Sequence, residues 1–183
     1  DKAFAGTLPP GRIAALGYAN AAGAAPRTVL LMPLLAPLFP VIARMAAQRR
    51  DGDTLRAFRR AAGVLALVSL PVSAFLMLYP GEVAQIMFGR NRCTAECVAD
   101  IASPLRYYAI AIWAAFLGYL LNRTLAALDA PRDILRATAL TVIVTIALDL
   151  LLLGPMGIAG LALATSLGVI VNLALSVAQL NRI

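Results

Sequence analysis

One stretch limits the folds open to this chain more than any other. From Ala137 to Leu180 there is a single charge, Asp149, and after it no ionisable residue appears until Arg182. Two apolar segments joined at Gly154-Pro155-Met156-Gly157 predict a helical hairpin in lipid, each arm long enough to cross a hydrocarbon core of about 30 Å. A carboxylate at that depth costs about 2.5–3.5 kcal/mol on insertion scales, so Asp149 is expected to face protein, water or a cation.

The remainder agrees with a membrane protein. The chain has 183 residues, 61% hydrophobic and 14% charged, with mean hydropathy +0.83, against about 25% charged residues in soluble domains. Its net charge of +7 would point to nucleic acid in a soluble protein, but the arginines gather in the breaks between apolar runs. Topology accounts for them, and no nucleic-acid partner is expected. Asp1 and Lys2 followed by Pro9-Pro10-Gly11 do not make a signal peptide, and the lack of an initiator Met suggests a fragment.

Taken in order, residues 1–12 read as the tail of a helix and a loop. Ile13 to Pro26 is rich in Ala and Gly, a composition that permits close helix approach, and carries Tyr18 and Asn20. Thr28 to Ala43 is an uncharged span with Pro33, Pro37 and Pro40 on one face. Arg44 to Arg60 reads as a basic cytoplasmic loop, Ala61 to Gly81 as a span bent at Pro71, and Glu82 to Ser103 as a long polar connection outside. A span centred on Tyr107 to Asn122, a cytoplasmic turn at Asp129 to Arg136 and the final hairpin complete the order. Basic residues concentrate in alternate connections, which predicts an outside start and a cytoplasmic C-terminus. The expected fold is all-α: a polytopic bundle of five spans plus the end of a sixth, since continuous apolar runs do not suit barrel strands.

No His occurs, and neither a phosphate loop nor a nucleophile elbow is present, so the chain is not expected to be an enzyme. Cys93 and Cys97 flank Thr94, a candidate helix N-cap; they either join in a disulfide outside the cytoplasm or remain free thiols. Asn122-Arg123-Thr124 matches a glycosylation sequon at a cytoplasmic helix end and is discounted. Asn172 is expected to hydrogen-bond a neighbouring helix.

Asp149 gathers the main candidates. Thr145 lies one turn earlier on the same face, and reflection through the Gly/Pro turn brings Asp149 opposite Leu161 to Thr165. Asp149, Thr145, Thr165 and Leu161 then suit sodium or a proton; the alternative is a polar contact with a neighbouring helix. Asp1 is a further carboxylate at the same outer end. Arg27, with Tyr18 and Asn20 before it, binds a phosphate if it faces a cavity and otherwise snorkels to the interface.

These residues carry a resemblance. Leu148 to Leu175 (LDLLLLGPMGIAGLALATSLGVIVNLAL), AALGYAN at Ala14 to Asn20, LFPVIAR at Leu38 to Arg44, and FGR..CTAECV at Phe88 to Val98 leading to a YYAI helix resemble the MurJ/MviN lipid II flippases. These belong to the multidrug/oligosaccharidyl-lipid/polysaccharide exporter superfamily. The resemblance implies that residues 1–183 are similar to the second six-helix lobe, beginning within that lobe's first helix. It also implies a multi-pass bacterial inner-membrane location and a partner lobe supplied elsewhere. The function it implies is alternating-access movement of an undecaprenyl-pyrophosphate-linked peptidoglycan precursor for cell-wall synthesis.

In family terms Asp1, Thr145, Asp149 and Thr165 fall where a cation site is expected, with Thr145 standing where Asn is frequent. The family's Arg after YA(N/D) is here Ala21, with Arg27 six residues on, and Leu128 to Asp133 also departs from the usual turn. These departures keep two further readings open: an exporter of another polyprenyl-linked glycan or small solute, and a non-transporting membrane scaffold.

Overall fold

The computed structural model describes residues 10–34, 40, 44, 51–89, 94–127 and 131–180. Seven α-helices occur among them: α1 (Pro10–Pro26), α2 (Asp51–Leu78), α3 (Pro80–Phe88), α4 (Ala95–Ile110), α5 (Ile112–Ala127), α6 (Pro131–Met156) and α7 (Ile158–Leu180). A π-helical turn, Arg27–Leu31, continues α1, and no strand is present among the described residues.

Local chemistry sets the boundaries. Pro80 opens α3 at a position where its missing N–H is no loss, and Glu82 in the first turn complements the positive helix end. Thr94 caps α4 by accepting from the Cys97 N–H at 3.4 Å, the role its sequence position predicts. Pro131 is the first residue of α6. Pro71 and Pro104 lie inside α2 and α4 without ending them.

Among the described residues, three helices are long and apolar enough to cross a membrane: Leu55–Leu78, Ile134–Met156 and Ile158–Leu180, of 24, 23 and 23 residues. At 1.5 Å per residue each is about 35 Å long. The pair α4 and α5 passes the same test together and is bent by 48° at its break. The outer faces of α2 and α6 present Leu67, Leu78, Ile143 and Leu151, large apolar side chains suited to lipid. Half of the fifth expected span, Thr28 to Ala43, falls outside the described residues.

Several connections read from sequence as loops are helical. Asp51 to Arg60 forms the first turns of α2, so the basic segment read as a loop is at least half helix. Most of Glu82 to Ser103 is α3 and the first half of α4. Its polar residues occupy one side of amphipathic helices whose other side buries Ala84, Ile101 and Leu105 against Ala15, Ala19 and Ala22 of α1. The span centred on Tyr107 to Asn122 is two helices, because the backbone tightens at Ala111, whose N–H bonds Tyr108 O at 3.1 Å.

That bend exposes carbonyls which neighbouring helices satisfy. Ser166 of α7 donates to Tyr107 O at 2.8 Å, and Ser73 of α2 donates to Ala109 O. The core follows these contacts, with Phe116 and Leu120 of α5 buried against Ala61, Leu65 and Leu76 of α2.

The final hairpin turns more tightly than expected. α6 runs through Gly154 and Pro155 to Met156, and the chain reverses at Gly157 alone, whose φ of +58° is left-handed. The arms then lie very close. A Cβ on Gly160 would overlap the Leu152 carbonyl, and one on Gly168 would overlap the Thr145 hydroxyl. Asn172 donates to the Thr141 hydroxyl at 3.1 Å, the interhelical bond expected of it.

Candidate functional site

The hairpin register fixes where the intramembrane carboxylate sits. Leu152 meets Gly160, Thr145 meets Gly168 and Thr141 meets Asn172, a spacing that places Asp149 opposite Ala164 and next to Thr165. This lies inside the Leu161-to-Thr165 window given by reflection. Thr141, Thr145, Asp149 and Leu152 form one stripe of α6 at helical spacing, and Asp149 is only 1% exposed. The carboxylate therefore faces protein and not lipid.

Thr165 stands beside it on α7. Its hydroxyl donates to Leu161 O at 2.9 Å, and its side chain also shares a hydrogen bond with Tyr108 of α4. Leu161 is fully buried and packs with Leu16, Leu153 and Tyr108. It thus closes the apolar side of the site and contributes no side-chain oxygen. The oxygens at hand are the Asp149 carboxylate and the Thr145 and Thr165 hydroxyls, hard donors that suit an alkali cation or a proton. No group of three or more His, Cys, Asp or Glu occurs among the described residues, so they form no multi-carboxylate site for a divalent metal. Asp1 lies outside the described residues.

On the other side of Tyr108 opens a cleft of about 210 Å³, bounded by α1, the α4–α5 bend and α7. Asn20 and Arg27 line it from one side, and Tyr108, Thr165 and Ser166 from the other. Two features bring Arg27 there. Pro26 cannot donate a helical hydrogen bond, and the turn that follows widens to π geometry, with Met32 N–H bonding Arg27 O. Single π turns of this kind often occur at functional positions. The Arg27 guanidinium is exposed, and among the described residues no carboxylate pairs with it.

The candidates read from sequence thus divide. Asn20 and Arg27 share the cleft. Tyr18 does not line it; its ring packs on Phe88 with centroids 5.1 Å apart, because it leaves α1 on the face turned toward α3. Ala21 is exposed and does not line the cleft either. Cys97 is disulfide-bonded, while Cys93 lies outside the described residues. Sequence reasoning gave no role to Tyr108, Ser166 or Ser73. The signal available was the unusual Tyr pair Tyr107-Tyr108 in an apolar helix, and small hydroxyls at positions otherwise occupied by Ala.

The comparisons with known proteins agree with this architecture. The family model described as "Lipid II flippase MurJ" matches residues 1–183. A protein of Synechocystis sp. described as "Probable lipid II flippase MurJ" is 24% identical over 162 residues, covering 88% of this chain and 30% of the relative. One of Thermotoga maritima with the same description is 36% identical over 103 residues, covering 56% of this chain and 22% of the relative. A solved structure, "Lipid II flippase MurJ, inward closed conformation", superposes with a TM-score of 0.85 over 95% of this chain and 37% of its own, at 16% identity, a likeness of fold. The chain spans about a third or less of the length of these proteins. With the family model matched from end to end, the chain belongs to the MurJ lipid II flippase family.

Proposed function

We propose that this chain is the second lobe of a lipid-linked oligosaccharide flippase that carries lipid II between the leaflets of the bacterial inner membrane. The observation that carries this reading is the cleft. It places an exposed guanidinium, Arg27, with Asn20 and Tyr108 at the level of the α4–α5 bend, within a bundle whose sequence matches the flippase family throughout. A planar guanidinium suits the two oxygens of a pyrophosphate ester, and an amide and a phenol supply further neutral donors.

Transport in this reading involves no covalent chemistry. The lobe rocks against a first lobe, and the site is presented to one leaflet and then the other. Asp149 with Thr165 and Thr145 would hold sodium or a proton, whose charge offsets that of the buried carboxylate. The cation then biases the lobe by binding one arrangement of α6 and α7 more tightly than the other. The alternating basic segments orient the C-terminus to the cytoplasm. Ala21, at the position where the family pattern carries Arg, favours as a second reading a different polyprenyl-linked glycan held chiefly through Arg27.

The test is transfer of fluorescent lipid II in vesicles by the full-length protein, wild type against Asp149→Asn, with and without a sodium gradient. A gradient-stimulated rate that disappears in the variant supports both the cargo and the coupling role. Absence of transfer by wild type would remove lipid II as the cargo.

A further inference from the structure

Tyr108 and Thr165 meet where the two halves of the site join. The Tyr108 ring lines the Arg27 cleft, and a Cβ on Gly23 of α1 would lie 3.4 Å from the Tyr108 Cβ, so α1 packs directly against its stem. Its side chain shares a hydrogen bond with Thr165, which lines the same cleft. It also packs against the cluster of Leu16 and Leu161, as Leu153 does. Leu161 is one turn before Thr165 on α7, so Tyr108 packs against the arm of the hairpin that carries Thr165. Its own carbonyl accepts the Ala111 N–H at 3.1 Å, the short bond that makes the bend.

We propose that Tyr108 is a positioning residue that couples the state of the Asp149 carboxylate to the binding of a phosphate-bearing ligand in the Arg27 cleft. This rests on the reading of the cleft as a pyrophosphate site. The physical argument is one of shared geometry. A cation held between Asp149 and Thr165 would draw on the Thr165 side chain that meets Tyr108, and because both Thr165 and Tyr108 line the cleft, any adjustment there moves its wall. The backbone carbonyl of the same residue makes the bend, so a displacement of Tyr108 reaches α5 as well as the ligand. Because coupling is reciprocal, phosphate in the cleft must alter cation binding at Asp149 by the same factor.

The experiment uses the full-length protein in nanodiscs and farnesyl pyrophosphate, a short polyprenyl pyrophosphate, as the probe, with Kd measured by calorimetry. Arg27→Gln reports whether the probe occupies the cleft. Asp149→Asn, Tyr108→Phe and the double variant then form a cycle, with thermal unfolding confirming that each is folded. Tyr108→Phe keeps the ring against Gly23 and removes only the hydroxyl.

The expected result is that Asp149→Asn shifts the Kd by about fivefold or more when Tyr108 is intact, and less than about twofold when combined with Tyr108→Phe. Equal shifts in the two backgrounds, or no shift from Asp149→Asn at all, overturn the coupling while leaving the pyrophosphate site in place. Failure of wild type to bind the probe, or binding indifferent to Arg27→Gln, removes the cleft reading and the coupling with it. Rescue of the Asp149 dependence by a second hydroxyl arrangement, as in Tyr108→Phe combined with Val169→Tyr, would further separate a positioning role from loss of packing.

Discussion

Gly168 of α7 and Thr145 of α6 touch so closely that a Cβ on the glycine would occupy the place of the threonine hydroxyl. In lipid there is no hydrophobic drive to press two apolar helices together, so close packing, interhelical hydrogen bonds and small residues must hold them. This contact, with Gly160 on the Leu152 carbonyl, sets the register that brings Asp149 beside Thr165.

Gly168→Ala is therefore expected to be destabilising by about 1–3 kcal/mol, the usual range for an overpacked core, although alanine is the better helix former. Gly63→Ala, where an added Cβ meets nothing within 4 Å, is expected to be neutral or to stabilise by up to about 1 kcal/mol. Apparent melting temperatures of the two variants in the same detergent check the contrast. Similar shifts for both would show that helix propensity and not interhelical distance decides.

Gly157 reverses the chain at φ +58°. Gly157→Ala forces a Cβ into left-handed backbone at a cost of about 1–2 kcal/mol, whereas Gly154→Ala, one turn earlier within α6 with open space around it, is expected to be tolerated. Thermal unfolding of the pair locates the turn. Greater damage from Gly154→Ala would move the reversal to the start of the Gly154-Pro155-Met156-Gly157 turn expected from sequence.

The α4–α5 bend depends on borrowed hydroxyls. Ser166→Ala removes the side-chain donor to Tyr107 O, and Ser73→Ala the side-chain donor to Ala109 O. Each substitution is expected to cost about 1–3 kcal/mol, the range for a buried polar group left unsatisfied. Amide hydrogen exchange should speed up around Ala109 to Ala115 in both variants before it does so in α6. Unchanged exchange there would mean that the bend is held by packing alone.

Thr94→Ala removes the acceptor for the Cys97 N–H and is expected to cost about 1 kcal/mol of local stability. The loss should show as faster exchange at Ala95 to Val98, with Thr94→Ser restoring protection. Equal exchange in wild type and Thr94→Ala would assign the helix start to the Cys97 disulfide.

The sequence made the bundle legible because apolar runs of bilayer length have few other solutions, and it located Asp149 because a lone carboxylate stands out against Leu and Val. It also anticipated the Thr94 cap and the Asn172 contact, since both depend on a few neighbouring residues. The helical character of Glu82 to Ser103 was hidden because charges on one side of an amphipathic helix resemble those of a loop when read in order. The bend at Ala111 was hidden for a different reason. Nothing in IAIW marks it, and it is stabilised by Ser73 and Ser166 from distant helices. For the same reason Tyr108 carried no role until α1 and α7 were placed around it.

The most direct test of the account is the initial rate of fluorescent lipid II transfer by full-length protein carrying Arg27→Gln, compared in the same vesicles with wild type and Arg27→Lys. Loss of the bidentate guanidinium from the cleft is expected to lower the rate about tenfold or more, with Arg27→Lys between the two, as the difference between a planar fork and a point charge requires. A wild-type rate from Arg27→Gln would contradict the account, because the cleft would then not lie on the path of the pyrophosphate.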